Sequence, residues 1–379
     1  MGRTSIVCVS FSPLIRDARV LRQIGVLAEF GDVTTIGYGP PPPGSSRHLE
    51  IAAERNSLPR HVSGVLQLAA RRLRAAELAA PAAQQALELA ADVSPDLVVA
   101  NDARALPVAH RLAHGAPVWA DMHEWAAEEF SHDRVWRTFV APLMAHNCAT
   151  YLPRSAAVTT VCDALADRYD ATYGVRTSVV RNAGPWVDLE PSPVEDVIRL
   201  VHSGGAQAGR YIDLLIRATL ALGPRFTLDL LLVPGGDGGR HLAYLRELAG
   251  GSAQVRFREP VPPAELPFAM NACDVGVFCM PPININARYA LPNKFFDFVQ
   301  ARLAVAVGPA EEMARLTTEL GLGPVSVDFS EGAFTDALAG LDPAAVSRYK
   351  SAAHASAKEL SSERDEQVER DLLARLLAA

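Results

Sequence analysis

The stretch LPNKFFDFVQARLAVAVG, residues 291–308, reads as a helix followed at once by a strand. The apolar spacing after Pro292 predicts a helix over residues 293–302, and the run LAVAV predicts a buried strand over residues 303–307. A helix that leads directly into an apolar strand is typical of the crossover units of a parallel α/β sheet. Only three of the 36 basic residues are lysines, and one of them, Lys294, stands at this predicted helix start.

The same alternation of strands and helices extends over the chain in two series, separated by the proline-rich segment EPSPV at residues 190–194. This pattern predicts two doubly wound, Rossmann-like α/β domains that face a central cleft, with the C-terminal helices crossing back to the first domain. We expect a first domain over residues 1–188, a second domain over residues 195–355, and a packing helix over residues 356–379. The predicted strands cover residues 5–11, 33–38, 97–101, 118–122, 158–161, 179–182, 197–202, 227–233, 254–257, 274–279, 303–307 and 325–327.

Composition excludes several classes of protein. The 379 residues carry a net charge of −7, which argues against nucleic-acid binding. The five cysteines are scattered without a paired motif, as expected for reduced thiols in a cytoplasmic protein. No secretory signal and no membrane-spanning segment is evident, so we expect a cytoplasmic protein with no stable membrane insertion.

The predicted helix start at residue 293 suits an anionic ligand. Unsatisfied backbone N–H groups and the helix dipole favour phosphate there, and Lys294 would add a positive charge. Asp297 follows Asn293 by about one helical turn, where its carboxylate could accept both hydroxyls of a ribose. The alternative is a helix capped by Asn293, with the two phenylalanines that follow Lys294 in the core.

A second candidate is the loop HSGGAQAGRY, residues 202–211, which follows the first predicted strand of the second domain. Gly204 and Gly205 would let backbone N–H groups approach a phosphate, and Arg210 opens the next helix. The loop lacks the Lys-Ser/Thr pair of a P-loop and the spacing of a dinucleotide-binding fingerprint. A tight strand–helix turn without a ligand is the alternative interpretation.

Two candidates lie in the first domain. Asp121, His123 and Glu124 follow a strand whose carboxyl end should face the cleft, and His123 could bind a reacting sugar or accept a proton. Arg16, Asp17 and Arg19 follow the first strand and would stand at the same edge. The alternatives are a capped helix start with a surface histidine, and surface ion pairs at a helix N-terminus.

Other motifs fail. His110 and His114 are four residues apart, but the glutamate of an HExxH zinc site is missing between them. The chain contains no two aspartates separated by one residue, so the usual metal-binding Asp-x-Asp is absent, and it contains no GxSxG nucleophile elbow.

Taken together, several segments resemble one family. LPNKFFDFVQARLAVAVG, PPAELPFAMNACDVGVF and GPAEEMARLTTELGLG resemble the donor domain of retaining glycosyltransferases of the GT-B fold, in the large family four. RDARVLRQIGVLAEFGDVTTIGYG, VWADMHEWAAEEF and SVVRNAG are similar to its acceptor domain. The resemblance implies transfer of a sugar from a nucleotide diphosphate donor such as a UDP- or GDP-sugar, with retained anomeric configuration. It also implies no essential metal and no cofactor, the nucleotide sugar being a co-substrate.

The resemblance places functional roles on particular residues. It puts Arg210, Asn293 and Lys294 on the diphosphate, Asp297 on the ribose, and His123 beside the reacting sugar. Catalysis would then rest on His123, Arg210 and Lys294, since stabilising negative charge on the leaving diphosphate lowers the barrier.

Two positions depart from the family. Tyr289 and Asp297 stand where many members have two glutamates, and Gly204-Gly205 replaces a Gly-Arg pair. A nucleotide-sugar epimerase and a non-catalytic nucleotide-sugar-binding relative are therefore the alternative functions.

The acceptor is less defined. Residues 61–91 are predicted as one helix, and its arginines Arg71, Arg72 and Arg74 would suit a membrane surface. Glu77 and Glu88, with a proline between them, favour an ordinary solvated helix. We therefore expect a small soluble acceptor, in natural-product or saccharide biosynthesis, and leave the oligomeric state open.

Overall fold

A computed structural model describes residues 3–378 of the chain. All paired strands within it run parallel. The strands are β1 (Thr4–Pro13), β2 (Gly31–Tyr38), β3 (Arg47–Ile51), β4 (Leu97–Asn101), β5 (Val118–Met122), β6 (Ala157–Thr160), β7 (Thr177–Val179), β8 (Ile198–Ala206), β9 (Phe226–Pro234), β10 (Val255–Arg258), β11 (Val275–Phe278) and β12 (Ala304–Val307).

Helices connect the strands, as parallel pairing requires. They are α1 (Ala18–Phe30), α2 (Val62–Ala69), α3 (Leu73–Ala76), α4 (Pro81–Leu89), α5 (Leu106–Leu112), α6 (Ala141–Tyr151), α7 (Asp163–Tyr173), α8 (Ile212–Ala221), α9 (Arg240–Ala249), α10 (Leu266–Met270), α11 (Ile285–Arg288), α12 (Asn293–Gln300), α13 (Glu311–Glu319), α14 (Glu331–Ala339), α15 (Pro343–Ser356) and α16 (Ser362–Ala378). Short 3₁₀ turns cover Leu14–Arg16, Ala126–Glu128, Leu152–Arg154 and Pro263–Glu265, and a π-helical turn covers Trp136–Val140.

The strands form two separate sheets. The first has seven strands in the order β3-β2-β1-β4-β5-β6-β7, and the second has five in the order β10-β9-β8-β11-β12. In both sheets the chain moves outward from a central strand and then returns to build the other half. The strand order therefore reverses between β1 and β4 in one sheet and between β8 and β11 in the other. Such switch points are where doubly wound sheets bind ligands, at the carboxyl ends of the strands.

The chain divides into two compact units. The first contains the chain up to Arg181, the short segment Asn284–Asn286, and the chain from Asp365 onward; the second contains Asn182–Ile283 and Ala287–Arg364. Residues 182–188, which the sequence assigned to the first domain, cluster with the second unit. The fold class predicted from the sequence, two doubly wound parallel α/β domains, is confirmed.

Each unit has its own apolar core. In the first, alternate residues of β1 and β4 pack with the apolar face of α1, and Leu372 and Leu373 of the last helix join this cluster. The C-terminal helix thus returns to the first unit as predicted, whereas α15 stays with the second. In the second unit the core lies between β8, β9 and β11 and the helices α8 and α14.

Several predicted elements differ from those observed. The single helix expected over residues 61–91 is three helices, because the chain leaves the helical path at Arg71, whose φ is +57°, and Pro81 starts a new one. Strand β3 was not predicted, since its sequence RHLEI has only two apolar side chains to bury. The strand expected at residues 325–327 is reduced to one bridge between Val307 and Val325. Among the described residues, no helix has the length and apolar character needed to cross a membrane.

Candidate functional site

In the second unit, the carboxyl ends of β8 and β11 meet the start of α12. This helix is held close to the sheet because β11 carries Gly276, where a Cβ atom would lie 2.2 Å from the Phe298 ring. The N-cap of α12 is Pro292, and no side chain caps the helix start. The alternative in which Asn293 caps the helix is therefore wrong: Asn293 is exposed at the first helical position. The Phe295 amide already donates to the Pro292 carbonyl at 3.0 Å, so the N–H groups of Asn293 and Lys294, which precede it, are those that make this helix start a suitable anion site.

Lys294 reaches from the first turn of α12 to the end of β8. Its ammonium lies 4.9 Å from the centroid of the Phe278 ring, and a Cβ atom on Gly204 would stand 3.0 Å from its Nζ. Among residues 3–378 no carboxylate forms an ion pair with it. Burial and the neighbouring Arg210 charge lower the pKa of Lys294 to about 8, against a smaller opposing effect of Asp297. A cation held this way is stabilised by any anion that binds beside it.

The glycine loop is shaped to keep side chains away from that ammonium. Gly204 has φ of +134°, a backbone conformation that L-residues with a side chain rarely adopt. Gly205 is half-buried, and the loop then turns outward to Arg210, which is exposed. The Arg210 guanidinium is nevertheless close enough to lower the pKa of Lys294. The structure therefore brings Gly204, Lys294 and Arg210 close together.

Asp297 and Tyr289 occupy the same region of the second unit. Asp297 is half-buried one turn after Asn293, and a Cβ atom on Gly184 would lie 3.8 Å from its Oδ1. Tyr289 is half-buried, with the Arg288 guanidinium 5.6 Å from its ring centroid. Both side chains lie close to the start of α12 in sequence, which is compatible with contacts to one ligand.

One residue of this region was missed by the sequence reasoning. His202 is 1% exposed at the end of β8, its Nδ1 lies 2.8 Å from the carbonyl oxygen of Val277, and its ring stacks on Phe278. Its Nε2 has no hydrogen-bond partner among the described residues. Burial and the Lys294 charge lower the pKa of His202 to about 3, so the ring is neutral. A histidine at the end of a predicted strand, two residues before the Gly204-Gly205 pair, was the signal available in the sequence.

In the first unit the site is built around His123, which follows β5. Its Nε2 lies 3.0 Å from Oδ1 of Asn101 and 3.3 Å from Oδ2 of Asp121, and its Nδ1 lies 3.4 Å from Oδ2 of Asp102. Burial alone would lower the pKa of His123, but the carboxylates of Asp102 and Asp121 outweigh it and raise that pKa to about 9. The imidazole is therefore protonated near neutral pH and acts as a hydrogen-bond donor.

The sequence suggested that Asp121 would contact an acceptor, but the structure buries it. Its side chain is fully buried, and Arg19 donates from Nε and Nη2 to its two oxygens at 2.8 and 2.6 Å. Gln23 and Thr159 donate to the same carboxylate at 3.2 and 2.6 Å. Burial opposes ionisation, but Arg19 holds the pKa of Asp121 well below its usual range. Asp121 therefore orients His123 and has no surface to offer a ligand.

The two residues after β1 also have structural partners. Asp17 caps α1 by accepting from the Val20 amide at 3.2 Å, and Ser12 donates to its other oxygen at 2.9 Å. Arg16 is exposed in the turn before the helix. Asp17 therefore caps the helix, which differs from both the ligand contact and the surface ion pair considered from the sequence, while Arg16 is exposed to a ligand. Arg19, predicted at the same edge, is instead buried and donates to Asp121.

Glu124 lies at the edge of the His123 cluster. Asn286 Nδ2 donates to its Oε2 at 2.9 Å, and burial together with the Glu129 charge raises the pKa of Glu124 to about 7. Asp102, which was also missed, has φ of +68° at the end of β4. Strained residues of this kind concentrate at functional sites, so Asp102 and His123 form the part of the cluster best suited to meet a ligand.

No group of three or more His, Cys, Asp or Glu residues within the described range could hold a metal ion. The expectation of metal-independent chemistry stays a prediction, because it concerns the reaction rather than these side chains.

Comparison by sequence gives no match: no protein-family model matches the chain. No curated protein matches it either.

Comparison of structures gives full-length matches. Sucrose-phosphate synthase from Thermosynechococcus elongatus matches with a TM-score of 0.72 at 14% identity, over 99% of this chain and 100% of that one. The UDP-forming α,α-trehalose-phosphate synthase from Burkholderia vietnamiensis matches with a TM-score of 0.67 at 14% identity, over 99% and 100% of the two chains. HepE from Anabaena, in complex with UDP and glucose, matches with a TM-score of 0.66 at 15% identity, over 98% and 100%. The chain therefore has the two-domain fold of these GT-B proteins, as its sequence resemblance predicted.

Proposed function

We propose that this chain is a retaining glycosyltransferase, similar to family four, that transfers a sugar from a nucleotide diphosphate donor to a small-molecule acceptor. The observation that carries the proposal is the position of Lys294. Its ammonium stands at an uncapped helix start, beside a glycine that leaves room for it and near the Arg210 charge. Two cations, free N–H groups and a glycine loop at a switch point suit a diphosphate.

The mechanism follows from where charge develops. As the bond from the sugar to the diphosphate breaks, negative charge accumulates on the leaving oxygen, and Lys294 and Arg210 would neutralise it. A ligand diphosphate would also relieve the repulsion between these two cations, so binding and catalysis use the same groups. Asp297, one turn along α12, would accept the ribose hydroxyls. We propose that this chemistry requires no metal, since the protein's own cations neutralise the leaving group.

In the first unit, His123 would act on the sugar or the acceptor. Because its pKa is about 9, it is a hydrogen-bond donor over the neutral range rather than a base. Asp102, at the accessible side of the pair, would accept from an acceptor hydroxyl. Arg16 and Glu124 would be the other residues that contact the acceptor, and Asp121 would support His123 from the buried side.

The structural neighbours support UDP as the first donor to test, because one is described as UDP-forming and another holds UDP and glucose. They also favour transfer over epimerisation. A non-catalytic relative is the second candidate, since Tyr289 stands where the resemblance expects a carboxylate. The five cysteines are all buried and none forms a disulfide, which supports the proposed cytoplasmic location.

The test is a thermal-shift titration with UDP, GDP, TDP and NAD. A ligand present at a hundred times its dissociation constant should stabilise the fold by about 2.7 kcal/mol. We expect one nucleoside diphosphate to raise the melting temperature and Asp297→Ala to abolish the shift. If no diphosphate or intact nucleotide sugar stabilises the protein, the donor site is wrong.

A further inference from the structure

The first unit presents an apolar surface at α2 and the neighbouring π-helical turn. Twelve large apolar side chains are exposed in the described part of the chain, and four of them lie here: Val62, Val65, Leu66 and Val135, with exposures of 79%, 46%, 63% and 62%. The two elements pack against each other. Exposed apolar side chains on two adjoining elements form a patch rather than isolated surface residues, and such patches mark interaction sites.

A cavity opens between the same two elements. Its volume is about 320 Å³, and its lining is dominated by apolar side chains, including Leu68, Trp136 and Phe139, with Arg60 and Asp133 at the polar side. The π-helical turn that forms one wall is rare among helices and recurs at functional sites. The patch therefore has a recess that fits an apolar chain or ring.

Positive charge surrounds the patch. Six exposed arginines lie in these segments. Arg60 precedes α2, and three follow it: Arg71, Arg72 and Arg74. Of the other two, Arg134 precedes the π-helical turn and Arg137 lies within it. Asp133 is the exposed acid of these segments, and it accepts from the Val135 amide at 2.8 Å just before the π-helical turn. The whole chain carries a net charge of −7, so this basic surface is a local reversal of the overall sign.

The structure also removes one reason for treating this region as a solvated helix. Glu77, which would oppose an anionic partner, is turned inward. Its Oε1 accepts from the Tyr151 hydroxyl at 2.9 Å, and its Oε2 lies 3.2 Å from Nε2 of His146. Glu88 lies on α4, a separate helix from α2.

We infer that this face of the first unit docks on an anionic lipid surface, with α2 lying in the interface and the cavity receiving an apolar chain of a lipid. Apolar side chains on a short helix bordered by arginines are what interfacial binding requires, and no spanning segment is needed. A second copy of the chain is a poorer occupant, because a two-fold contact would place the arginine border of one copy against that of the other. The inference is independent of the identity of the sugar donor and of the acceptor.

The experiment is vesicle co-sedimentation of the full chain. Vesicles of phosphatidylcholine alone are compared with vesicles that contain about 30 mol% phosphatidylglycerol, at low salt and near 0.5 M salt, where charge is screened. We expect binding to the anionic vesicles only, weakened by salt. V62S/L66S and R71E/R72E should each lower the bound fraction about tenfold or more, since both apolar insertion and each basic residue contribute.

Matched controls come from the second unit. F268S removes an exposed apolar side chain of α10, and R240E/R246E reverses two charges of α9; neither should change vesicle binding. Melting curves and donor consumption without vesicles should be the same for all variants, because none of these residues belongs to the donor or His123 sites. The inference is overturned if anionic vesicles do not bind the chain, or if the patch variants bind as well as the controls. A dimer that V62S/L66S dissociates, without vesicle binding, would overturn it in favour of a second copy.

Discussion

Replacing Lys294 by methionine should change stability and ligand binding in opposite directions. Methionine keeps an unbranched apolar side chain and removes the ammonium, which lies 4.9 Å from the Phe278 ring centroid. In the free protein that ammonium is held without an ion pair among the described residues, and burial and Arg210 lower its pKa from 10.5 to about 8. The charge is therefore a cost to the folded state that only a bound anion offsets.

The size of the effect follows from that pKa. Lowering a pKa by one corresponds to about 1.36 kcal/mol, so the charged form costs at most about 3 kcal/mol at neutral pH. Lys294→Met should raise the free energy of unfolding by about 1–3 kcal/mol, because methionine also loses the cation–π contact. The same change should lower turnover of a nucleotide sugar by two or more powers of ten, since it removes about 3 kcal/mol of leaving-group stabilisation.

The sign of the pH dependence provides a further check. Between pH 8 and 10.5 the unfolded chain binds the Lys294 proton more strongly than the folded chain does. The free energy of unfolding of the wild-type protein therefore increases as the pH rises through that window. The advantage of the methionine variant should therefore be complete below pH 8 and vanish toward pH 10.5.

Urea unfolding across that range, with calorimetric titration of UDP and GDP, measures both effects. Lys358→Met is the matched control, because the Lys358 ammonium lies 5.1 Å from the Trp186 ring but is exposed. A Lys294→Met protein that is less stable than wild type, or that binds the diphosphate unchanged, would show that Lys294 is not an unpaired cation held ready for an anion.

Three further substitutions test the two sites. Gly204→Ala should weaken donor binding about tenfold or more, because the added Cβ would meet Lys294 Nζ and the positive φ adds about 1–3 kcal/mol of strain. Gly209→Ala is the control, since Gly209 has a φ of +85° but open space around it. It should leave donor affinity unchanged in the same titration. Arg19→Met should lower the free energy of unfolding by about 3–5 kcal/mol in urea melts, because it leaves the buried Asp121 charge without its partner, and a loss below about 1 kcal/mol would contradict the buried pair. The stability that protonated His123 contributes is complete below pH 6.5 and is lost as the pH rises through about 9. His123→Gln should therefore flatten the dependence of the free energy of unfolding on pH over that interval. An unchanged dependence would show that Asp102 and Asp121 do not hold the charge of His123.

Much of the donor side was predictable because it depends on local sequence. The helix start at Asn293, the position of Lys294 and the turn to Asp297 follow from periodicity and helix geometry, which act over a few residues. The departure of the Gly204 loop from known fingerprints was also visible. The structure added the contact between Gly204 and Lys294, which joins residues 90 positions apart and has no local signal.

The first unit shows where sequence reasoning fails. Asp121, His123 and Glu124 lie within four positions of one another, and the local sequence does not indicate which of the three side chains is buried. A strand alternates its faces, so Asp121 at the end of β5 is buried against Arg19 of α1, 102 positions away, while His123 lies beyond the strand. The same long-range pairing hid the role of Asp102 and the burial of Arg19 against Asp121, because both depend on which strands lie side by side.

A proton NMR time course of UDP- and GDP-hexoses with the wild-type protein and Lys294→Met decides whether the chain is a retaining glycosyltransferase. Slow transfer of the sugar to water exposes the stereochemistry before the free sugar mutarotates. We expect wild type to consume one α-configured donor and release the α-sugar first, and the variant to be at least about a hundredfold slower. Release of the β-sugar first, conversion of the donor to an epimer, or no consumption of any donor by wild type would contradict that function.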